Sequence, residues 1–301
     1  MRESGRPIRL GVVGHTGYTE LEGALQTLRR LAPGLNLELH LEEELPAASG
    51  DKRIASPDRL DALLTLGGDG TLLRGARLLA GHHVPILGVN MGRLGFLTCG
   101  PADQLEHSLM RFARGDYVVE ARMLLQAALV EPSRRERGRW LALNDVVIHK
   151  GGFARVVSLR VAVDDELIAS YSADGVVIST PTGSTAYSLS AGGPVVVPTL
   201  ETFIVTPVSA HTLGIRPVVL SASSRITVQA EGAPEELMIT VDGQVGTSFH
   251  AGETLVVSRA DTHIKIVRFP GSSFFATLRQ KLGWGGIPER DQSRNADRAA
   301  D

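Results

Sequence analysis

Leu63-Leu64-Thr65-Leu66-Gly67-Gly68-Asp69-Gly70-Thr71 decides how this chain is read. Four mostly apolar residues run as a buried strand and then break into Gly-Gly-Asp-Gly-Thr. Leu72-Leu73-Arg74, Ala76 and Leu78-Leu79 resume at helical spacing. Strand, tight turn and helix start together mark the place where an α/β sheet holds phosphates. Three glycines within four positions let backbone approach a ligand closely and adopt positive φ. Thr71 is placed to cap the helix. Asp69 is the odd member, because a carboxylate repels phosphate. It makes sense if it binds a cation, accepts a sugar hydroxyl, or removes that hydroxyl's proton. The plainer alternative is an Asp-Gly turn with an N-cap.

The regions around this stretch repeat its logic. Ile8 to Val13 reads as a buried strand followed by the loop Gly14-His15-Thr16-Gly17, whose glycine spacing is not the dinucleotide fingerprint. Leu21, Ala24, Leu25, Leu28 and Leu31 form a helical stripe that Pro33-Gly34 stops, and Leu35, Leu37, Leu39 and Leu41 alternate as a strand. Glu42-Glu43-Glu44 reads as a solvated face, and residues 47–57 as a polar, mobile stretch. Pro85 to Asn90 is another buried strand, ending in the glycine-bearing loop Met91 to Leu97, and Ala102 to Phe112 is helical. Strands alternating with helices predict a parallel sheet covered on both faces. Ligands on such sheets sit beyond the strand C-termini, where both glycine loops fall.

From Tyr117 the pattern changes to short extended runs. Strands are expected over 118–130, 140–149, 155–163, 166–170, 176–180, 216–220, 225–229, 237–241 and 254–258, with an exposed charged tip over 131–139. The fold class is therefore an α/β N-terminal domain with a parallel sheet plus a β-rich, sandwich-like C-terminal domain. The expected divisions are residues 1–116, 117–263, a return segment 264–285 whose helix packs back on the first domain, and a disordered tail 286–301.

Bulk properties narrow the function class. Over 301 residues the hydrophobic share is 43%, enough for a full core, and the formal charge is -2. That charge argues against nucleic acid or an anionic membrane as partner. The single cysteine, Cys99, excludes an intrachain disulfide and a cysteine-based zinc site. With no leader-like start and no apolar run of about eighteen residues, a soluble cytoplasmic protein is expected.

Two further stretches carry chemistry. Asn144-Asp145 interrupts an apolar strand-like run, where polar groups are costly to bury without partners. An amide beside a carboxylate suits sugar hydroxyls or an adenine edge; a strand-end turn is the alternative. The segment Asp174 to Pro194 contains Thr180-Pro181-Thr182-Gly183-Ser184-Thr185-Ala186-Tyr187-Ser188-Leu189-Ser190, dense in glycine and small hydroxyls after a strand. Such a loop can nest a phosphate without lysine, and Tyr187 offers a ring for stacking. Asp242-Gly243 reads as a hairpin turn, with Gln244 able to reach a ribose; Arg155 by default is a surface charge, and a lone His211 is structural. No Gly-x-Ser-x-Gly elbow, HExxH or Walker lysine is present.

Together, Gly67 to Thr71, Asn90 to Leu97, Asn144-Asp145 and Asp174 to Pro194 resemble the NAD kinase family, in the family's order and over roughly Ile8 to Leu282. The glycine-Asp loop alone also occurs in lipid kinases and phosphofructokinases; the long segment is specific. The resemblance implies transfer of a terminal phosphoryl group from ATP or polyphosphate to the 2′-hydroxyl of the adenosine ribose of NAD, giving NADP. It implies Asp69 as general base with Gly70 against the ribose. It implies Asn144 and Asp145 on the NAD ribose or adenine, and Asp174, Thr182, Thr185, Ala186, Tyr187, Ser188, Leu189, Ser190 and Gln244 lining the dinucleotide. Arg74 is a candidate for donor phosphates. Arg155 is expected to reach the dinucleotide from a neighbouring subunit of a homodimer or homotetramer. A divalent metal, Mg²⁺ for preference, is expected on the donor phosphates, with no protein metal ligands named. One stretch departs from the family pattern: Ser209-Ala210 stands before His211 where Cys-Pro is frequent. The rival readings are a lipid or sugar kinase with the same loop, and a non-catalytic NAD(P)-binding sensor.

Overall fold

The computed structural model describes residues 5–151, 157–211, 214–232 and 237–284. Its first part alternates β1 (Ile8–Gly14), α1 (Leu21–Leu31), β2 (Leu37–Leu41), β3 (Lys52–Arg53), β4 (Ala62–Leu66), α2 (Asp69–Leu78), β5 (Pro85–Asn90), β6 (Gly100–Pro101) and α3 (Leu105–Arg114). The strands run parallel in the order β3-β2-β1-β4-β5, which doubly winds the chain around β1. Leu10, Leu64 and Leu87 pack with Leu25, Leu28 and Phe112 of α1 and α3 on one face. Leu63 and Ile86 pack with Leu72, Leu73 and Ala76 of α2 on the other.

The second part is antiparallel: β7 (Val118–Val130), β8 (Glu136–Ala142), β9 (Asp145–Lys150), β10 (Val157–Val163), β11 (Glu166–Ala173), β12 (Gly175–Ser179), the short α4 (Tyr187–Ser190), β13 (Thr202–Val208), β14 (Val218–Ser221), β15 (Ile226–Glu231), β16 (Leu237–Val241), β17 (Val245–Phe249) and β18 (Thr254–Arg268), then α5 (Phe274–Leu282). Six of these strands form one sheet, β14-β13-β12-β9-β16-β17. Its inner face (Ile148, Ile178, Phe203, Ile239) meets Leu129, Leu159, Val228 and Val257 of the other sheet in a shared sandwich core. The expected class, a parallel-sheet α/β domain followed by a β-sandwich and a C-terminal helix, is the observed one. Among the described residues no helix is long and apolar enough to cross a membrane.

Several local expectations are corrected. β18 is one strand over Thr254–Arg268, where a strand over 254–258 and a separate return segment beginning at 264 were expected. Its first part pairs with β15 in the sandwich; beyond a bulge at Arg259/His263 its end pairs with β5 of the parallel sheet. The chain thus returns to the first domain in mid-strand. The run 140–149 is not one strand either: it breaks at Leu143-Asn144, with β8 and β9 in different sheets. β13 and β17 were not anticipated. Residues 47–57 are tied down, for β3 pairs with β2 and Asp51 holds Arg29 at 2.8 Å. In the acidic run, Glu42 turns inward to accept the Gly14 amide at 2.7 Å and to pair with Arg74. Arg137, placed in the exposed tip, is half-buried and pairs with buried Glu253 at 2.8 Å. The expected tail 286–301 lies outside the described residues.

Candidate active site

Asp69 is the first residue of α2, with Gly68 at the N-cap in extended conformation. Thr71 does not cap the helix; its side chain is buried and lies over Gly67, where a Cβ would come within 2.1 Å of Thr71 Oγ1. Gly67, Gly68 and Gly70 all lack the positive φ expected of them. At Gly67 the need is for close approach.

The Asp69 carboxylate is held from the neighbouring glycine loop. The Phe96 amide donates to Oδ2 at 2.8 Å and the Leu97 amide to Oδ1 at 3.0 Å. Asn90, at the end of β5, shapes the loop that presents these amides by donating to the carbonyls of Gly92 and Arg93, at 3.2 and 2.6 Å. Gly95 is required here, since a Cβ would lie 2.1 Å from Asp69 Oδ1. The two glycine loops are thereby one construction at the C-terminal edge of the parallel sheet.

The β-rich half brings its own edge to the same place. In the six-stranded sheet Asp145 pairs with Ser179, and Val146 with Val241, so the loop after β12, the turn before β9 and the β16–β17 hairpin emerge side by side. Asp242 fastens them: its carboxylate accepts the amides of Leu143, Asn144 and Asp145 at 3.0, 2.7 and 3.1 Å. Thr180 donates its hydroxyl to the Leu143 carbonyl, and its amide donates to Asn144 at 2.8 Å. Gly183 packs so closely that a Cβ would sit 2.1 Å from the Asn144 carbonyl oxygen. From the hairpin, Gln244 Nε2 donates to the Gly70 carbonyl at 2.7 Å and Arg77 donates to Gln244 Oε1 at 2.8 Å. The Gln244–Gly70 bond and the Asp242 contacts therefore tie Asp69 and Gly70 to the Asn144–Asp145 turn and the Thr180–Gly183 loop.

The electrostatics here are set by two carboxyls, that of buried Asp145 and that of half-buried Asp242. Asp145 is 4% exposed, and no donor among the described residues reaches its carboxyl. Burial, with Asp242 nearby, pushes it up to about 7. Asp242 is also raised by burial, a shift its three amide donors oppose. A buried carboxyl without donors, beside an Asn144 side chain also lacking a partner among the described residues, is suited to ligand hydroxyl or amine donors.

The other expected residues make contacts of their own. Asp174 precedes β12 and pairs with Lys150 at 2.6 Å, which holds its carboxyl below the usual range. It stands at the opposite end of β12 from Thr180, roughly 20 Å away along extended chain. Arg74 is engaged by Glu42, Glu44 and the Gly14 carbonyl. Ser188 is fully buried, its hydroxyl 3.0 Å from that of Thr206. Thr182 is buried too, while Thr185, Ala186 and Leu189 are half-buried and Tyr187 and Ser190 exposed. Arg155 lies outside the described residues. The sequence reading missed Phe96, Leu97 and Asp242. Gly95 in the second loop was a usable signal for the first two; Asp242 gave no signal beyond its hairpin.

Comparison with known proteins gives the family to which this sequence and fold are similar. Residues 47–117 match the ATP-NAD kinase N-terminal domain and residues 143–269 the ATP-NAD kinase C-terminal domain. A Gemmatimonas aurantiaca NAD kinase is 59% identical over 285 residues, covering 94% of this chain and 99% of its own. One from Syntrophotalea carbinolica is 41% identical over 282 residues, covering 92% and 99%. An Archaeoglobus fulgidus NAD kinase solved in complex with ATP superposes with a TM-score of 0.72 at 28% identity, covering 91% of this chain and 98% of that one. Yeast NADH kinase complexed with NADH shares the fold at a TM-score of 0.84 and 23% identity, covering 94% and 89%.

Proposed function

This chain belongs to the NAD kinase family, a family of phosphotransferases, and we propose that the cleft described above is where it phosphorylates NAD. The observation that carries this placement is the Asp69 carboxylate, fixed by two amides beside Gly70, which the Asn144–Asp145 surface meets through Gln244. The adenosine ribose of NAD lies between them. Asp145 and Asn144 take its hydroxyls or the adenine edge, and Tyr187 and Thr185 lie along the dinucleotide. The 2′-oxygen forms the new bond to the donor's terminal phosphorus as the bond from that phosphorus to the bridging oxygen breaks. The hydroxyl proton passes to Asp69. Phosphoryl transfer rests mainly on positioning and charge neutralisation, and a rigid carboxylate at the acceptor oxygen supplies the first.

ATP, or polyphosphate in its place, is the proposed donor, with the amides of Gly67, Gly68 and Gly70 toward its phosphates. Among the described residues no three His, Cys, Asp or Glu side chains are grouped to hold a metal ion. A divalent cation, Mg²⁺ for preference, would be carried on the donor phosphates, where it would neutralise their charge. Ser188, Asp174 and Arg74 stay as proposed contacts only if the loops open or a second subunit contributes. Exposed Leu167 and Ile168 on β11, and Val218 and Val219 on β14, lie on strands at the sheet edges. These apolar edges support a homodimer or homotetramer.

The test is a coupled assay of NADP formation from NAD with ATP and Mg²⁺, with polyphosphate in a parallel reaction and NAD binding followed by calorimetry. Product in either reaction supports the reading and identifies a donor. Binding without product in both would favour a sensor, and no NAD binding would reopen the lipid or sugar kinase.

A further inference from the structure

Arg268, the last residue of β18, lies behind the loop that holds Asp69. Its guanidinium donates to the Thr98 carbonyl at 3.0 Å and to the Phe96 carbonyl at 2.9 Å. The Phe96 carbonyl belongs to the same peptide unit as the Leu97 N–H, which donates to Asp69 Oδ1 at 3.0 Å. One peptide group therefore has a cation on its oxygen and the candidate base on its N–H. A peptide carries a dipole of about 3.5 D, and both ends of this one are aligned with the charges they face. The guanidinium side chain is 12% exposed, and Glu120 faces it at 3.5 Å. Glu120 also pairs with buried Arg122, which reaches Thr182 of the opposite loop at 3.5 Å.

We propose that Arg268 is a positioning residue for phosphoryl transfer: by clamping the Phe96 and Thr98 carbonyls it fixes the peptide that aims the Asp69 carboxylate. The inference rests on the role given to Asp69 above. A planar fork can span two carbonyls at once, whereas an ammonium is a single point of charge. Loss of the fork would free the loop to tilt, and misplacement by about 1 Å costs about 10²-fold in rate. Since Arg268 ends the strand shared by the sandwich and the parallel sheet, the base is aimed by the element that joins the two.

The test is a double-mutant cycle with Arg268→Lys and Asp69→Asn. Turnover, KM for NAD, NAD affinity by calorimetry and thermal unfolding are measured for each protein. Arg268→Lys is expected to lower kcat by about 10-fold or more while NAD affinity stays within about threefold. With Asp69→Asn already present, the same change should alter residual turnover by less than about twofold. An equal fold-loss in both backgrounds, an unchanged kcat, or a loss confined to KM would overturn the proposal. Asp69→Asn with undiminished turnover would instead refute the role of Asp69 itself. If Arg268→Lys does not fold, Glu120→Gln, which releases the guanidinium from its carboxylate, carries the same cycle. Its kcat should fall about threefold or more with Asp69 present and be unaffected with Asp69→Asn; equal losses would again overturn the proposal.

Discussion

Gln244 Nε2 donates to the Gly70 carbonyl at 2.7 Å, linking the tip of the β16–β17 hairpin to the first turn of α2. Arg77, further along α2, donates to the same side chain at 2.8 Å, so the carboxamide is fixed at both ends. The contact spans the cleft and sets the distance between the glycine-Asp loop and the Asn144–Asp145 turn. Gln244→Ala is expected to raise the KM for NAD by about 3–10-fold, the worth of one or two hydrogen bonds. Steady-state kinetics with NAD as the varied substrate checks this; an unchanged KM would show that the hairpin does not shape the site.

Asp145 gives a pH prediction. Its carboxyl, raised by burial and by Asp242 to about 7, takes up a proton as pH falls through neutrality. A substrate hydroxyl donates to the ionised form, so NAD affinity should weaken from pH 8 to pH 6, approaching tenfold per unit at the acid end. Calorimetry at pH 6, 7 and 8 tests this, with Asp145→Asn expected to flatten the profile. The stability effect has the opposite sense. A pKa above the ordinary 3.8 means the native state holds the proton more tightly than the unfolded chain. The contribution is full below pH ~4 and lost as pH rises through about 7.

Asp242 acts on stability through the three amides it accepts. Asp242→Ala leaves all three buried donors without their acceptor and is expected to cost about 3 kcal/mol or more. Asp242→Asn, retaining one oxygen, should cost less. Denaturant unfolding of the two variants checks the order, which a purely electrostatic role for Asp242 would not produce.

Gly95→Ala probes the base without altering it. The added methyl would stand 2.1 Å from Asp69 Oδ1, and the carboxylate must leave its two amides to make room. Turnover should fall by about 10²-fold or more, with NAD affinity changed only a few-fold. Full activity in Gly95→Ala would show that the observed carboxylate orientation is not the working one.

The parallel sheet and its glycine loops were legible because strand, turn and helix follow one another within a few residues. Leu63 to Leu79 carries its own periodicity and its own break. The sandwich was legible as a class but less so in its strand limits. Val245 to Phe249 has little apolar alternation, and β13 contains Pro207, so neither announces itself. β18 was split in the reading because Arg259 to His263 is polar; the structure accommodates it as a bulge at a sheet junction. In the site, Asp69, Asn144 and Asp145 were readable because polar groups break apolar runs there. Arg268 and Asp242 were not, since they act on backbone groups far away in sequence. No local pattern encodes which carbonyl or amide a distant side chain will meet. In the hydroxyl-rich loop Ser184 and Ser188 are fully buried and bond within the protein, an arrangement that the density of small hydroxyls does not reveal.

The most direct measurement is NADP formation by Asp69→Asn beside the unmodified protein, with NAD affinity measured on both. The substitution keeps the size of the side chain and removes its ability to take a proton. Turnover should fall by about 10²-fold or more while NAD binds within a few-fold of normal. Near-normal turnover in Asp69→Asn would contradict the account, for the carboxylate held by Phe96 and Leu97 would then not be the group that receives the ribose proton.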